Sequence, residues 1–204
     1  VTLVVNIPAS YALSRKHLYG RKFFTAFYLI PMFFTGGLIP TYLAVQRFHL
    51  LDTFWVMVVP FSVVTYYIIV GRTFFNNSIP EDLWEAAQLD GCGYLGFFFK
   101  IVLPLSKAVI AVIALWAAVG QWNSFMDTYL YAKKLPTLQY KLYEIMNQAT
   151  MKMDVHAGTN VQTAVTPMSV RMAVTIVATV PIVIVYPFLQ KYFAEGITLG
   201  AVKG

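Results

Sequence analysis

Uncharged stretches of similar length recur along this chain. No Asp, Glu, Lys or Arg falls between Lys22 and Arg47, between Asp52 and Arg72, between Lys107 and Asp127, or between Arg171 and Lys191. Each interval holds roughly 19 to 24 residues, enough for a helix to cross a hydrocarbon layer about 30 Å thick. The pattern therefore predicts four membrane-crossing helices. A fifth apolar stretch, Val1 to Ser14, is too short to cross alone and lacks the basic start of a signal peptide, so it reads as the end of a truncated helix with at least one span upstream. Pro31, Gly36, Gly37 and Pro40 interrupt the first full run. Such residues survive in membrane helices that pack closely on neighbours, and they predict a kinked packing helix.

The segment from Asn77 to Leu105 has a different pattern. Ser78 or Ile79 precedes Pro80, with Glu81 and Asp82 next. A proline and two acids suit the first turn of a helix, where a missing donor costs nothing and negative charge meets the positive dipole end. The helix is expected to run through Leu83, Trp84, Glu85, Ala86 and Ala87 to about Leu89, and to stop at Asp90-Gly91, a pair suited to positive φ. A second amphipathic stretch carries Tyr94, Phe97, Phe98, Ile101 and Val102 before Pro104. The expected fold is all-α, a polytopic transmembrane bundle in one domain over 1–204, with a helix–turn–helix loop at about 77–105 on the membrane face. A long loop follows at about 127–170, and a tail at 191–204.

Composition and charge agree with this picture. The chain is 58% hydrophobic and only 12% charged, with mean hydropathy +0.64, where soluble domains hold about a quarter charged residues. Arg15, Lys16, His17, Arg21 and Lys22 form a compact basic cluster that the positive-inside rule places in the cytoplasm. Alternation then puts 77–105 and the tail inside and 127–170 outside. The net charge of +6 does not point to nucleic acid, because the basic residues flank spans instead of forming one stripe. A single cysteine, Cys92, excludes an internal disulfide and a multi-cysteine metal site. His17, His49 and His156 lack ligand spacing, no nucleophile elbow occurs, and no acid lies inside a predicted span. There is no candidate catalytic residue, metal site or cofactor, and enzyme, channel and ion-coupled carrier readings lose support. No phosphate-binding loop of the GxxxxGK[ST] type is present, so any ATP must be bound by a partner chain.

Glu85-Ala86-Ala87, Asp90-Gly91, Ile101 and Leu103-Pro104, at this spacing, resemble the EAA loop of permease subunits of binding-protein-dependent ATP-binding cassette importers. Val119 to Phe125 resembles the segment that ends the next span in the carbohydrate-uptake branch. Gln190 to Phe193 with Gly196 to Gly204 resembles the tail of maltose-type permeases. Cys92 stands where the family usually has alanine, and Ala108 where it often has proline. The resemblance implies a multi-pass permease of the bacterial cytoplasmic (inner) membrane that passes a sugar or oligosaccharide, with a non-sugar solute as the alternative. It implies as partners a second permease, homologous or identical, cytoplasmic ATP-binding subunits and an extracytoplasmic solute-binding protein. Glu85, Ala86, Ala87, Asp90 and Gly91 would meet the ATPase, with Glu85 paired to a basic group. Gly200, Lys203 and Gly204 would lie at the ATPase interface in an extended or irregular tail. Gln121, Trp122 and Asn123, costly to turn toward lipid near a span end, are the candidates for the translocation path.

Overall fold

The computed structural model describes residues 1–156 and 167–201, with side chains for 1–150 and 168–187. Every regular element among them is helical. The first is α1 (Thr2–Ser14), followed by α2 (Arg21–Phe33) and α3 (Leu38–Arg47). After a 3-10 turn at Phe54–Met57 come α4 (Thr65–Ser78) and α5 (Glu81–Leu89). Next are α6 (Tyr94–Phe97), a π-helical turn (Phe98–Val102) and α7 (Leu103–Leu105). The chain continues through α8 (Lys107–Asn123), α9 (Met126–Tyr131), α10 (Leu138–His156) and α11 (Pro167–Ala201).

The core lies where α1 crosses α4. At Gly71 the two backbones are so close that an added Cβ would sit 2.6 Å from the Ser10 hydroxyl oxygen and 2.8 Å from its Cβ. Small residues at a crossing let membrane helices pack by direct backbone contact. Below this point the buried side chains of Ile7, Phe75, Ile79, Phe97, Val102 and Ile113 join α1, α4, α6, the π turn and α8 into one cluster. A second, smaller core at the opposite end gathers Val45, Val56, Tyr131 and Ala132. There the Asp52 N–H donates to the Tyr131 carbonyl at 2.8 Å, and the Lys134 N–H donates to Asp52 Oδ1 at 3.2 Å, which ties two loops together.

Two of the four predicted spans take a form other than a single helix. The first breaks outright: α2 and α3 meet at 118° across Phe34 to Gly37. Gly37 adopts φ +85°, open to glycine, and Pro40 sits in the first turn of α3, where its missing N–H leaves no bond unmade. The second run, 52–72, does not form one helix. Its first half is a 3-10 turn and loop, and the helix runs from Thr65 to Ser78, past Arg72. Pro60 cannot donate to a helical ladder, and the buried Asn6 side chain serves the backbone beyond it. Asn6 Nδ2 donates to the Ser62 carbonyl at 2.7 Å, and the Val64 N–H donates to Asn6 Oδ1 at 3.0 Å. Irregular chain among packed helices persists where protein groups satisfy its backbone in this way.

The third run forms α8, which stands at 78° to the stretch Tyr94–Leu105 before it. The fourth run lies within α11, whose part Met168–Pro187 has mean hydropathy 2.1 and is long and apolar enough to cross a membrane unaided. Counting each bent pair as one span gives up to three among the described residues. The expected loop at 127–170 contains α9 and the 19-residue α10. Leu138, Leu142, Ile145 and Ala149 recur there at helical spacing. The tail is also corrected: α11 continues to Ala201, through Gly196 and Gly200, in place of an extended chain. Adding residues to a helix already nucleated is much easier than starting one, so isolated glycines costing about 1 kcal/mol each do not end it. Lys203 and Gly204 lie outside the described residues.

Candidate functional site

The stretch 77–105 folds as a helix, a turn and a second helical segment. Pro80 stands just before α5, one position earlier than predicted, and Glu81 and Asp82 occupy the first turn. At the other end Gly91 takes φ +75°. The Cys92 N–H donates to the Ala87 carbonyl and the Gly91 N–H to that of Gln88, both at 2.9 Å. This pair of bonds is the Schellman closure that a glycine beyond a helix end permits. Trp84 stacks on Tyr94 with ring centroids 4.5 Å apart and meets Phe97 edge-on at 5.1 Å, which clamps α5 to α6. The π turn precedes Pro104, whose missing N–H disturbs the ladder one turn upstream.

Of the five residues predicted to face an ATPase, Glu85, Ala86, Asp90 and Gly91 are exposed, and Ala87 turns inward to the core at 6% exposure. Leu89 completes the outward surface and was not singled out from sequence. It is 90% exposed at the last position of α5. Its one sequence signal was a leucine immediately before Asp-Gly.

The basic cluster holds this loop in place. The Arg15 guanidinium donates through Nη2 to the carbonyls of Phe75 (3.3 Å) and Ile79 (3.2 Å), and through Nε to Ser14 Oγ (3.1 Å). It lies 4.9 Å over the Tyr11 ring. Lys16 Nζ donates to Glu81 Oε2 at 3.0 Å. Arg21 Nε donates to the Leu13 carbonyl at the end of α1 (3.0 Å). Between the turn after α1 and α5 lies a cleft of about 550 Å³, lined by Tyr11, Arg15, Tyr19, Glu81, Glu85 and Gln88 among others.

The other predicted site is dispersed. Gln121 and Asn123 are exposed at the end of α8, whereas Trp122 is half-buried and its Nε1–H donates to the Ala178 carbonyl of α11 at 3.1 Å. Ala178 sits three residues before Pro181, within the turn that a helical proline loosens. Among the described residues no group of three or more His, Cys, Asp or Glu is placed to hold a metal ion.

Residues 10–199 match the family described as "binding-protein-dependent transport system inner membrane component". The chain belongs to this family. As a family member it is a membrane permease component of an ATP-binding cassette transporter and not an enzyme. It is 41% identical to "Protein LplC" of Bacillus subtilis (strain 168), over all of this chain and 69% of that protein. It is 40% identical to the "polygalacturonan/rhamnogalacturonan transport system permease protein YtcP" of the same organism, over all of this chain and 72% of that protein. A solved bacterial ABC transporter involved in import of the acidic polysaccharide alginate superposes with TM-score 0.77 at 30% identity, covering 94% of this chain and 69% of that one. The permease family and the helical architecture thus agree.

Proposed function

We propose that this permease, paired with a second homologous or identical permease in the bacterial cytoplasmic membrane, forms the path along which an oligosaccharide is imported. In this reading a cytoplasmic ATPase drives the cycle and an extracytoplasmic solute-binding protein delivers the sugar. The observation that carries the coupling role is the outward surface of α5, where Leu89 at 90% exposure stands beside Glu85, Ala86 and Asp90 on a helix pinned at both ends. A protruding leucine with a neighbouring carboxylate suits a cleft that is apolar within and basic at its rim. The relatives named for polygalacturonan and alginate support a saccharide as the cargo. Gln121 and Asn123 supply exposed amides for hydrogen bonds to hydroxyls, and Gly200, Lys203 and Gly204 remain candidates for the ATPase interface.

The test uses the assembled importer. Leu89→Asp is expected to remove most of the copurifying ATPase, and Glu85→Ala to weaken its retention. Losing one partner of a buried charge pair costs on the order of 3 to 5 kcal/mol. Full retention of the ATPase in both variants would refute docking through α5. Uptake of labelled oligosaccharides by vesicles containing the full system, against amino-acid and peptide cargo, decides between a sugar and the non-sugar alternative.

A further inference from the structure

We propose that Arg15 is the positioning residue that makes α1 and α5 move as one body, delivering the tilt of the docking helix to the membrane core. The inference rests on docking through α5 and adds how that motion leaves it.

The geometry is specific. Only Ile79 and Pro80 separate α4 from α5, so the angle between the two helices is decided over two residues. Arg15 reaches them from a third helix. Its Nη2 donates to both the Phe75 carbonyl, in the last turn of α4, and the Ile79 carbonyl, in the hinge itself. While Nη2 reaches both acceptors, a second nitrogen of the same rigid plane is anchored elsewhere, which a single ammonium does not reproduce. That anchor is Nε, bonded to Ser14 Oγ, and the plane lies over Tyr11. Tyr11 packs edge-on against Phe75 and at 5.2 Å against Phe98 of the π turn. Lys16, the next residue, holds Glu81, the first residue of α5. Two consecutive basic residues therefore grip both sides of the hinge. Above them α1 follows α4 through the Ser10–Gly71 contact to Asn6, whose amide holds the chain at Ser62 and Val64. A tilt of α5 that pulls on Ile79 pulls Arg15, and with it the whole of α1.

The test compares the importer carrying Arg15→Lys with the unaltered one. Arg15→Lys keeps the charge and the topology signal but loses the Nε anchor on Ser14 and the plane over Tyr11. Basal ATP hydrolysis and subunit copurification are expected to stay, while stimulation by loaded binding protein falls on the order of tenfold. Spin labels at His17→Cys and Asp82→Cys in a Cys92→Ala background report the distance between the end of α1 and the start of α5. With arginine present this distance is expected to be the same in nucleotide-free and ATP-trapped complexes; with lysine it should differ between them. The proposal is overturned if stimulation in Arg15→Lys is unchanged, if the distance changes between states with arginine in place, or if Arg15→Lys prevents assembly altogether, which would make Arg15 a purely structural cap. Leu89→Asp keeps the two readings apart. ATPase retained in that variant refutes docking through α5, whereas ATPase lost there with normal stimulation in Arg15→Lys refutes only the role of Arg15.

Discussion

Gly71 and Ser10 share a space that holds one side chain. With an added Cβ only 2.6 Å from Ser10 Oγ, Gly71→Ala must push α1 off α4, and overpacking of this kind costs about 1 to 3 kcal/mol. The unfolding midpoint of the purified chain in detergent is expected to fall, and the pair Ser10→Gly with Gly71→Ala to recover most of the loss. A double variant no better than Gly71→Ala alone would show that the crossing tolerates separation. Asn6 is the other residue on which the region depends. Asn6→Leu leaves the Ser62 carbonyl and the Val64 N–H without the partners they have at 2.7 and 3.0 Å, and stranding such groups costs about 1 to 3 kcal/mol. Amide exchange at the start of α4 is expected to quicken in that variant, while exchange in α10 keeps its native rate.

Helix α5 is held at its first turn by an ion pair whose pH response has a defined sign. The hydrogen bond from Lys16 is the main cause that lowers the Glu81 pKa, with the charges of Lys16, His17 and Arg15 adding to it against a smaller desolvation effect. A carboxylate with a lowered folded-state pKa contributes its stabilisation above the ordinary value of about 4.3 and loses it as pH falls through the lowered one. The link is therefore intact at neutral pH. The Glu81 carboxyl carbon is expected to titrate below an unpaired glutamate, and to return toward the ordinary range in Lys16→Met. This helix was also the most legible element, because its signals are local: acids in the first turn, an alanine pair, and Asp-Gly at the end. The stretch 52–72 was not legible in the same way, since Asn6, more than fifty residues away, supplies the bonds that let the chain leave helical geometry there. A single arginine did not end the helix either, since its long stem lets Arg72 sit in α4. Arg15 read as a topology signal and nothing more, because a basic loop looks the same whether or not its guanidinium meets a carbonyl.

At the scale of the molecule, the two ends differ in charge and in what they hold. One end joins Lys16 to α5, Arg15 to the hinge before it and Arg21 to the end of α1; the other joins Asp52 to the turn before α10. Topology from the positive-inside rule predicts that Lys134→Cys, in a Cys92→Ala background, reacts with an impermeant thiol reagent in intact cells, while Leu89→Cys does not. Labelling of Leu89→Cys alone would invert the orientation. Thr159, in the loop predicted to be external, lies outside the described residues, which makes Lys134 the better probe. The stack of Trp84 on Tyr94 has a further consequence. Indole emission follows the polarity and rigidity of its surroundings, and Trp84 is the only tryptophan between Trp55 and Trp116, so it alone belongs to the loop at 77–105. With Trp55, Trp116 and Trp122 replaced by phenylalanine, the fluorescence of the chain would come from the joint between α5 and α6, and the loop would report optically on whatever binds it.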